Sequence, residues 1–189
     1  SSSSSSSSTE ANPTDTPEEA VVRRYFDGVN RKDPVQLRSC FAETATLRDV
    51  CGLDATEKTV PADLLVDRCM EFVTAHPDCL VRFHYGPCAQ RERADDNDGC
   101  GNDDDGTWVV AHWYEIGNWS GDSCGIPAPD PPLAMAVEGQ TRFRVVEIGG
   151  SPRIERFVVT RTFTDWENAM VVARAEAAVA AASTAQSGA

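Results

Sequence analysis

Basic residues are scarce in this chain: 17 Lys and Arg stand against 30 Asp and Glu, a formal net charge of −13. No basic patch or stripe is present, which excludes the electrostatic footprint of a nucleic-acid-binding protein. No polybasic segment is available to hold an anionic membrane surface. No apolar run reaches the ~18–20 residues needed to span a bilayer. No cysteine pair has CxxC spacing, although there are seven cysteines. That argues against a zinc site, and no metal or cofactor is expected. Internal repeats and a secretory apolar region are also missing.

What remains suits one domain with tails: 189 residues, 41% hydrophobic, enough for a real core. The odd cysteine number and the placement of several of them in apolar periodic segments favour reduced thiols, hence a soluble intracellular protein of the cytoplasm or an organelle lumen. One or two disulfides with a leftover thiol is the alternative. The chain opens on eight serines rather than Met, as a processed product, a fragment or the end of an organelle transit segment would.

Residues 1–15 are low-complexity Ser, Thr, Pro and Asn, too polar to order. Thr16-Pro17-Glu18-Glu19 then reads as a capping box with proline at the first helical position. Val21, Val22, Tyr25, Phe26 and Val29 form the helix's apolar stripe. Asp33-Pro34 starts a short second helix with Val35, Leu37 and Phe41 inward, and 45–50 reads as a strand. Residues 61–76 read as a third helix between Pro61 and Pro77.

Beyond Pro77 the period changes to two. Strands are expected over 79–85, 107–116, 135–148 and 153–163, the last two joined by a Gly149-Gly150 hairpin. Thr164-Asp165-Trp166-Glu167 is a second capping box and launches a terminal helix. The domain is therefore expected over 16–166, followed by a terminal helix and tail over 167–189. The segment 91–106 reads as a mobile acidic insertion, with six aspartates and no base over 95–105. Its spacing fails as a calcium loop. With Gly99 as the sixth position the first ligand is Ala94, and with Gly106 it is Gly101. The layout is α+β: about three N-terminal helices packed on a curved antiparallel sheet, with a cavity between as the natural ligand site.

Two segments carry a resemblance. Residues 21–52, VVRRYFDGVNRKDPVQLRSCFAETATLRDVCG, are similar to the opening of ketosteroid isomerase. Residues 109–163, with a strand, the turn Gly117–Gly121, the segment Gly125-Ile126-Pro127 and a glycine hairpin, resemble SnoaL-like cyclases. Both belong to the nuclear transport factor 2-like superfamily of cone-shaped α+β domains. The resemblance implies a small apolar ligand, cofactor-free proton transfer of isomerase, cyclase or dehydratase type, and a homodimer formed through the sheet. It places Tyr25 as the donor to a developing enolate and Asp49 as the carboxylate that moves the proton. A core tyrosine and a strand-ending aspartate are the plainer readings of the same residues.

The isomerases' second donor, a protonated Asp, maps to 141–144, where no acidic residue stands. The cyclases' late Asp maps to Thr162, with Asp165 three residues on, and their turn histidine to Trp119. A histidine pair, as in the scytalone dehydratase branch, would be His84 and His112. Of the two, His112 is the candidate second acid/base because of its apolar neighbours Val110 and Tyr114. Trp113, Tyr114, Trp119, Phe143 and Phe157 are the candidate pocket aromatics, and core packing or dimer contact is the alternative for them. A non-catalytic ligand-binding or homodimerisation module fits these features as the second reading.

Overall fold

The computed structural model describes residues 14–50, 56–90, 106–123, 127–173 and 175–176. The candidate calcium registers, apart from Gly106, and Cys51, Cys100 and Cys124 lie outside them. Helix α1 (Pro17–Arg31) opens on the expected reciprocal cap. The Glu19 amide donates to Thr16 Oγ1 at 3.3 Å, and the Thr16 amide donates to Glu19 at 2.9 Å. It ends where Lys32 turns left-handed (φ 53°). Asp33 then caps α2 (Pro34–Cys40) by accepting from the Val35 and Gln36 amides.

The chain passes straight from α2 into β1 (Phe41–Asp49), so Phe41 begins the strand instead of closing the helix. Strand β2 (Lys58–Pro61) returns antiparallel to β1 and leads directly into α3 (Ala62–Ala75). Then follow β3 (Leu80–Ala89), β4 (Thr107–Trp119), β5 (Leu133–Ile148) and β6 (Ser151–Arg161). A terminal helix, α4, occupies 165–173. Thus two helices precede the sheet and the third is inserted after its first hairpin, a correction to the expected run of three.

The six strands form one sheet in the order β2-β1-β6-β5-β4-β3. All neighbours are antiparallel except β1 and β6, which run parallel. The sheet is therefore mixed rather than purely antiparallel. The glycine hairpin is as expected: Gly149 (φ 59°) and Gly150 (φ 75°) take the positive φ values that this turn requires. Register shifts interrupt β3–β4 between Phe83 and Cys88 and β5–β6 between Arg144 and Val145. Such shifts bend strands and raise local twist.

Helix α1 packs against β3, β4, β5 and β6, while α3 packs against β1, β2 and the other two helices. Both lie over one face of the sheet. The shared core includes Val22, Phe26, Leu37, Phe41, Leu65, Val109, Phe143 and Ile154, all nearly water-free. Among the described residues, no helix is long and apolar enough to cross a membrane.

Candidate functional site

Between helices and sheet lies a cavity of about 580 Å³. Its walls follow from two periodicities. On α1, positions 25, 26 and 29 share a helix face, as do positions 65, 68, 69, 72 and 73 on α3. On the strands every second residue faces inward: Trp113 and Glu115 on β4, Phe157, Val159 and Arg161 on β6, Leu47 and Asp49 on β1. Phe163, Glu167 and Val171 close one side from α4 and its approach.

Tyr25 and Asp49 both line this cavity. The Tyr25 ring is fixed by edge contacts with Phe26, Phe41 and Phe143 at 5.1, 5.8 and 5.4 Å. Its hydroxyl meets Cys69 Sγ at 3.6 Å. Burial, then the neighbouring Cys69, holds the phenol well above its ordinary pKa. It is thus a persistent proton-bearing donor. Asp49 ends β1 and accepts from the Arg68 guanidinium at 3.0 Å, with one-fifth of its side chain exposed.

Of the other expected residues, Trp113 and Phe157 line the cavity. Trp113 is locked by donating from Nε1 to Thr141 Oγ1 at 2.9 Å. Thr141 itself stands in the wall, so the place of the isomerases' second acid is held by a hydroxyl already engaged. Phe143 sits one layer deeper, fully buried and stacked on Phe157. Trp119 is buried elsewhere, edge-on to His76 at 5.5 Å, and donates to the Gly121 carbonyl.

Three expectations are corrected. His112 is exposed on the opposite face of β4, its ring beside Tyr85 at 6.0 Å. Tyr114 shares that outer face, with its ring 4.6 Å from His84. His84 is exposed and pairs with Glu138 at 3.3 Å, so no histidine pair enters the cavity. The reason is register: Val109, Ala111 and Trp113 are the buried set on β4, and the even positions face away. Thr162, at the cyclase acid position, is exposed and bonded to the Glu138 backbone, and Asp165 is exposed as well.

The residue missed is Glu115. It is 2% exposed, on the buried register of β4, and lines the cavity. Burial pushes its carboxyl up to about 7, with the Cys79 thiol, Arg161 and Lys32 acting in the other direction. Oε1 lies 3.8 Å from His76 Nδ1, beyond hydrogen-bond reach, and Oε2 has no partner. Burial lowers His76 to about 4, so the two do not form an ion pair near neutrality. The Cys79 thiol is pushed up to about 12, by burial first and then by Glu115 and Asp78. The signal in the sequence was the carboxyl itself, standing in phase with Val109, Ala111 and Trp113.

Partly buried Arg161 and buried Glu167 form a charged pair in the wall. The guanidinium donates to both carboxylate oxygens, at 2.6 and 3.2 Å, and lies over the Phe163 and Phe72 rings. Burial raises Glu167, but Arg161 and the Thr164 amide more than offset it and leave the carboxyl lowered. Cys40, Cys69, Cys79 and Cys88 form no disulfide. Among the described residues, no three His, Cys, Asp or Glu side chains converge as a metal site.

No family model matches the sequence, and no curated protein matches it. Solved structures do match. A SnoaL-like polyketide cyclase candidate from Jannaschia sp. CCS1 superposes with a TM-score of 0.57 at 15% identity, covering 85% of this chain and 94% of its own. An uncharacterised cystatin-like protein from Caulobacter vibrioides gives 0.54 at 14%, covering 82% and 94%. A scytalone dehydratase candidate from Novosphingobium aromaticivorans gives 0.53 at 13%, covering 78% and 83%. At these identities the likeness is one of fold. That fold is the nuclear transport factor 2-like, or cystatin-like, architecture implied by residues 21–52 and 109–163.

Proposed function

We propose that this fold serves here as a small-molecule-binding domain that performs cofactor-free proton transfer on an apolar or aromatic compound with a carbonyl or hydroxyl group. One observation carries the reading: a phenol that stays protonated and a carboxylate face the same largely apolar cavity. Asp49 is the base and Tyr25 the donor to the oxygen on which charge develops. The largely apolar lining strengthens both interactions, since it offers few competing polar partners. Similar structures named as SnoaL-like cyclases and scytalone dehydratases support the class of chemistry by analogy of fold. The outer face of β3 and β4, with exposed Leu80, Tyr85 and Ile116, is the surface proposed for self-association.

A second reading has its own support. Asp49 Oδ2 is already engaged by the Arg68 guanidinium at 3.0 Å. A ligand-binding module without turnover would have no need of a free base. Deuterium exchange at the α-carbon of aromatic ketones, followed by proton NMR, separates the two. Catalysed exchange that falls roughly 10²–10⁴-fold in Asp49→Asn supports the enzyme. Saturable binding without exchange supports the module.

A further inference from the structure

The cavity wall contains a polar feature that the Tyr25–Asp49 reading leaves unused. Among its described residues, Trp113 and Thr141 satisfy each other, and Arg161 and Glu167 satisfy each other. Glu115 differs. It lines the cavity, its side chain is 3% exposed, and Oε2 is buried without a hydrogen-bond partner. A buried polar atom without a partner is uncommon in a folded protein and costs free energy unless something binds it.

We infer that Glu115 is a ligand-contacting residue, its carboxyl donating a hydrogen bond to a carbonyl oxygen of the bound molecule. The inference rests on the small-molecule reading of the cavity and narrows it to a carbonyl compound whose oxygen points toward β4.

The groups around Glu115 decide which form of it meets the ligand. His76 faces it from the end of α3 and stays neutral above about 4. Cys79, just ahead of β3, is a protonated thiol that hydrogen-bonds Glu115 and favours its carboxylate, against the larger effect of burial. Arg161 on β6 favours the carboxylate, but its charge is taken up by Glu167, which itself opposes ionisation of Glu115. Lys32, beyond the end of α1, favours the carboxylate more distantly and donates to the Pro77 carbonyl. The balance leaves a carboxyl that holds its proton up to about pH 7. A neutral carboxyl can donate; a carboxylate can only accept, and would repel a carbonyl oxygen.

The apolar remainder of the ligand would lie against Trp113, Phe157, Leu65 and Val73, which line the same space. Trp113 is two residues from Glu115 on the same strand face. An aromatic body stacked on it brings a ring-attached carbonyl within reach of the carboxyl.

The test uses matched pairs that differ only in the carbonyl: 1-indanone and indane, 1-tetralone and tetralin, fluorenone and fluorene. Binding to the full chain is followed by tryptophan fluorescence and ligand-observed NMR at pH 5.5 and 8.5. The ketones are expected to bind about tenfold more tightly than the hydrocarbons at pH 5.5, the worth of one good hydrogen bond in a buried site. That preference should vanish at pH 8.5. Glu115→Gln, whose amide still donates, should keep it at both pH values, and Glu115→Leu should lose it at both.

A ketone preference independent of pH in the unmodified protein, or one surviving in Glu115→Leu, overturns the assignment. If Glu115→Leu does not fold, the comparison of the unmodified chain with Glu115→Gln decides alone. Ketones and hydrocarbons that bind equally overturn the role of Glu115 and leave the cavity reading standing. No binding by any of the six overturns both.

Discussion

Glu115 and His76 are buried neighbours whose titrations act on stability in opposite directions. Glu115 has a folded pKa of about 7 against an ordinary 4.5. Its contribution is intact below pH 4.5 and is lost as pH rises through 7, because the unfolded chain ionises first. Glu115→Gln should therefore be more stable than the parent by about 3 kcal/mol at pH 8.5 and nearly equal to it at pH 4, read from urea unfolding. His76 is lowered from 6.5 to about 4. Its contribution is present above pH 6.5 and is lost as pH falls through 4, so His76→Phe should flatten the acid limb. Tyr25→Phe gives a different signature. The hydroxyl's contact with Cys69 is long, so stability should change by less than about 1 kcal/mol, while any ketone α-proton exchange falls at least tenfold. Legibility at this scale was uneven for a physical reason. Tyr25 and Asp49 stood at element positions fixed by strong signals, a capped helix and a strand end. The inward face of β4 was not so marked. Trp108, Val110, Tyr114 and Ile116 make its outer face almost as apolar as the inner one, and the charge of Glu115 sits on the inner side. Alternation therefore assigned His112 inward and passed over Glu115.

Elements with chemical punctuation were the readable ones. The Thr16–Glu19 box, the Asp33-Pro34 break and the Gly149-Gly150 turn each appear where their residue chemistry demands. Strand β2 is only four residues long and fell below what a period of two can reveal. The start of β1 was hidden because Phe41 continues the apolar spacing of α2. Helix α4 depends on a single residue more than any other element. Glu167 accepts from the Thr164 amide as part of its cap and also pairs with partly buried Arg161. Glu167→Ala should cost about 1–3 kcal/mol by removing both the cap and the carboxylate partner of Arg161, and hydrogen exchange should show α4 opening before the sheet. Thr16→Ala, at an exposed cap, should cost only about 1 kcal/mol. Thr164→Ala, which removes the hydroxyl that accepts from the Glu167 amide and leaves the Arg161 pair in place, tests by thermal unfolding whether α4 is held by its cap or by its ion pair.

The whole molecule presents an apolar outer face on β3 and β4, where Leu80 and Ile116 are directly paired and Tyr85 lies opposite His112. If that face joins two copies, Ile116→Lys should halve the mass seen in sedimentation while leaving the circular dichroism spectrum unchanged. An unaltered mass would assign the patch to no self-contact. The topology was the least legible feature of the chain. The side-by-side placement of β1 and β6 is a long-range parallel pairing, and nothing local in either strand announces its partner.

That same pairing sets a timetable for the chain as it leaves the ribosome. Until residues 151–161 emerge, β1 with β2 and the β3–β5 run are two pieces, because among the described strands only β6 touches both. Until then the nascent chain carries unpaired strand edges and uncovered apolar helix faces, the interval in which chaperones hold such chains. The cavity walls that come from β1 and from β4 are joined only once β6 has emerged.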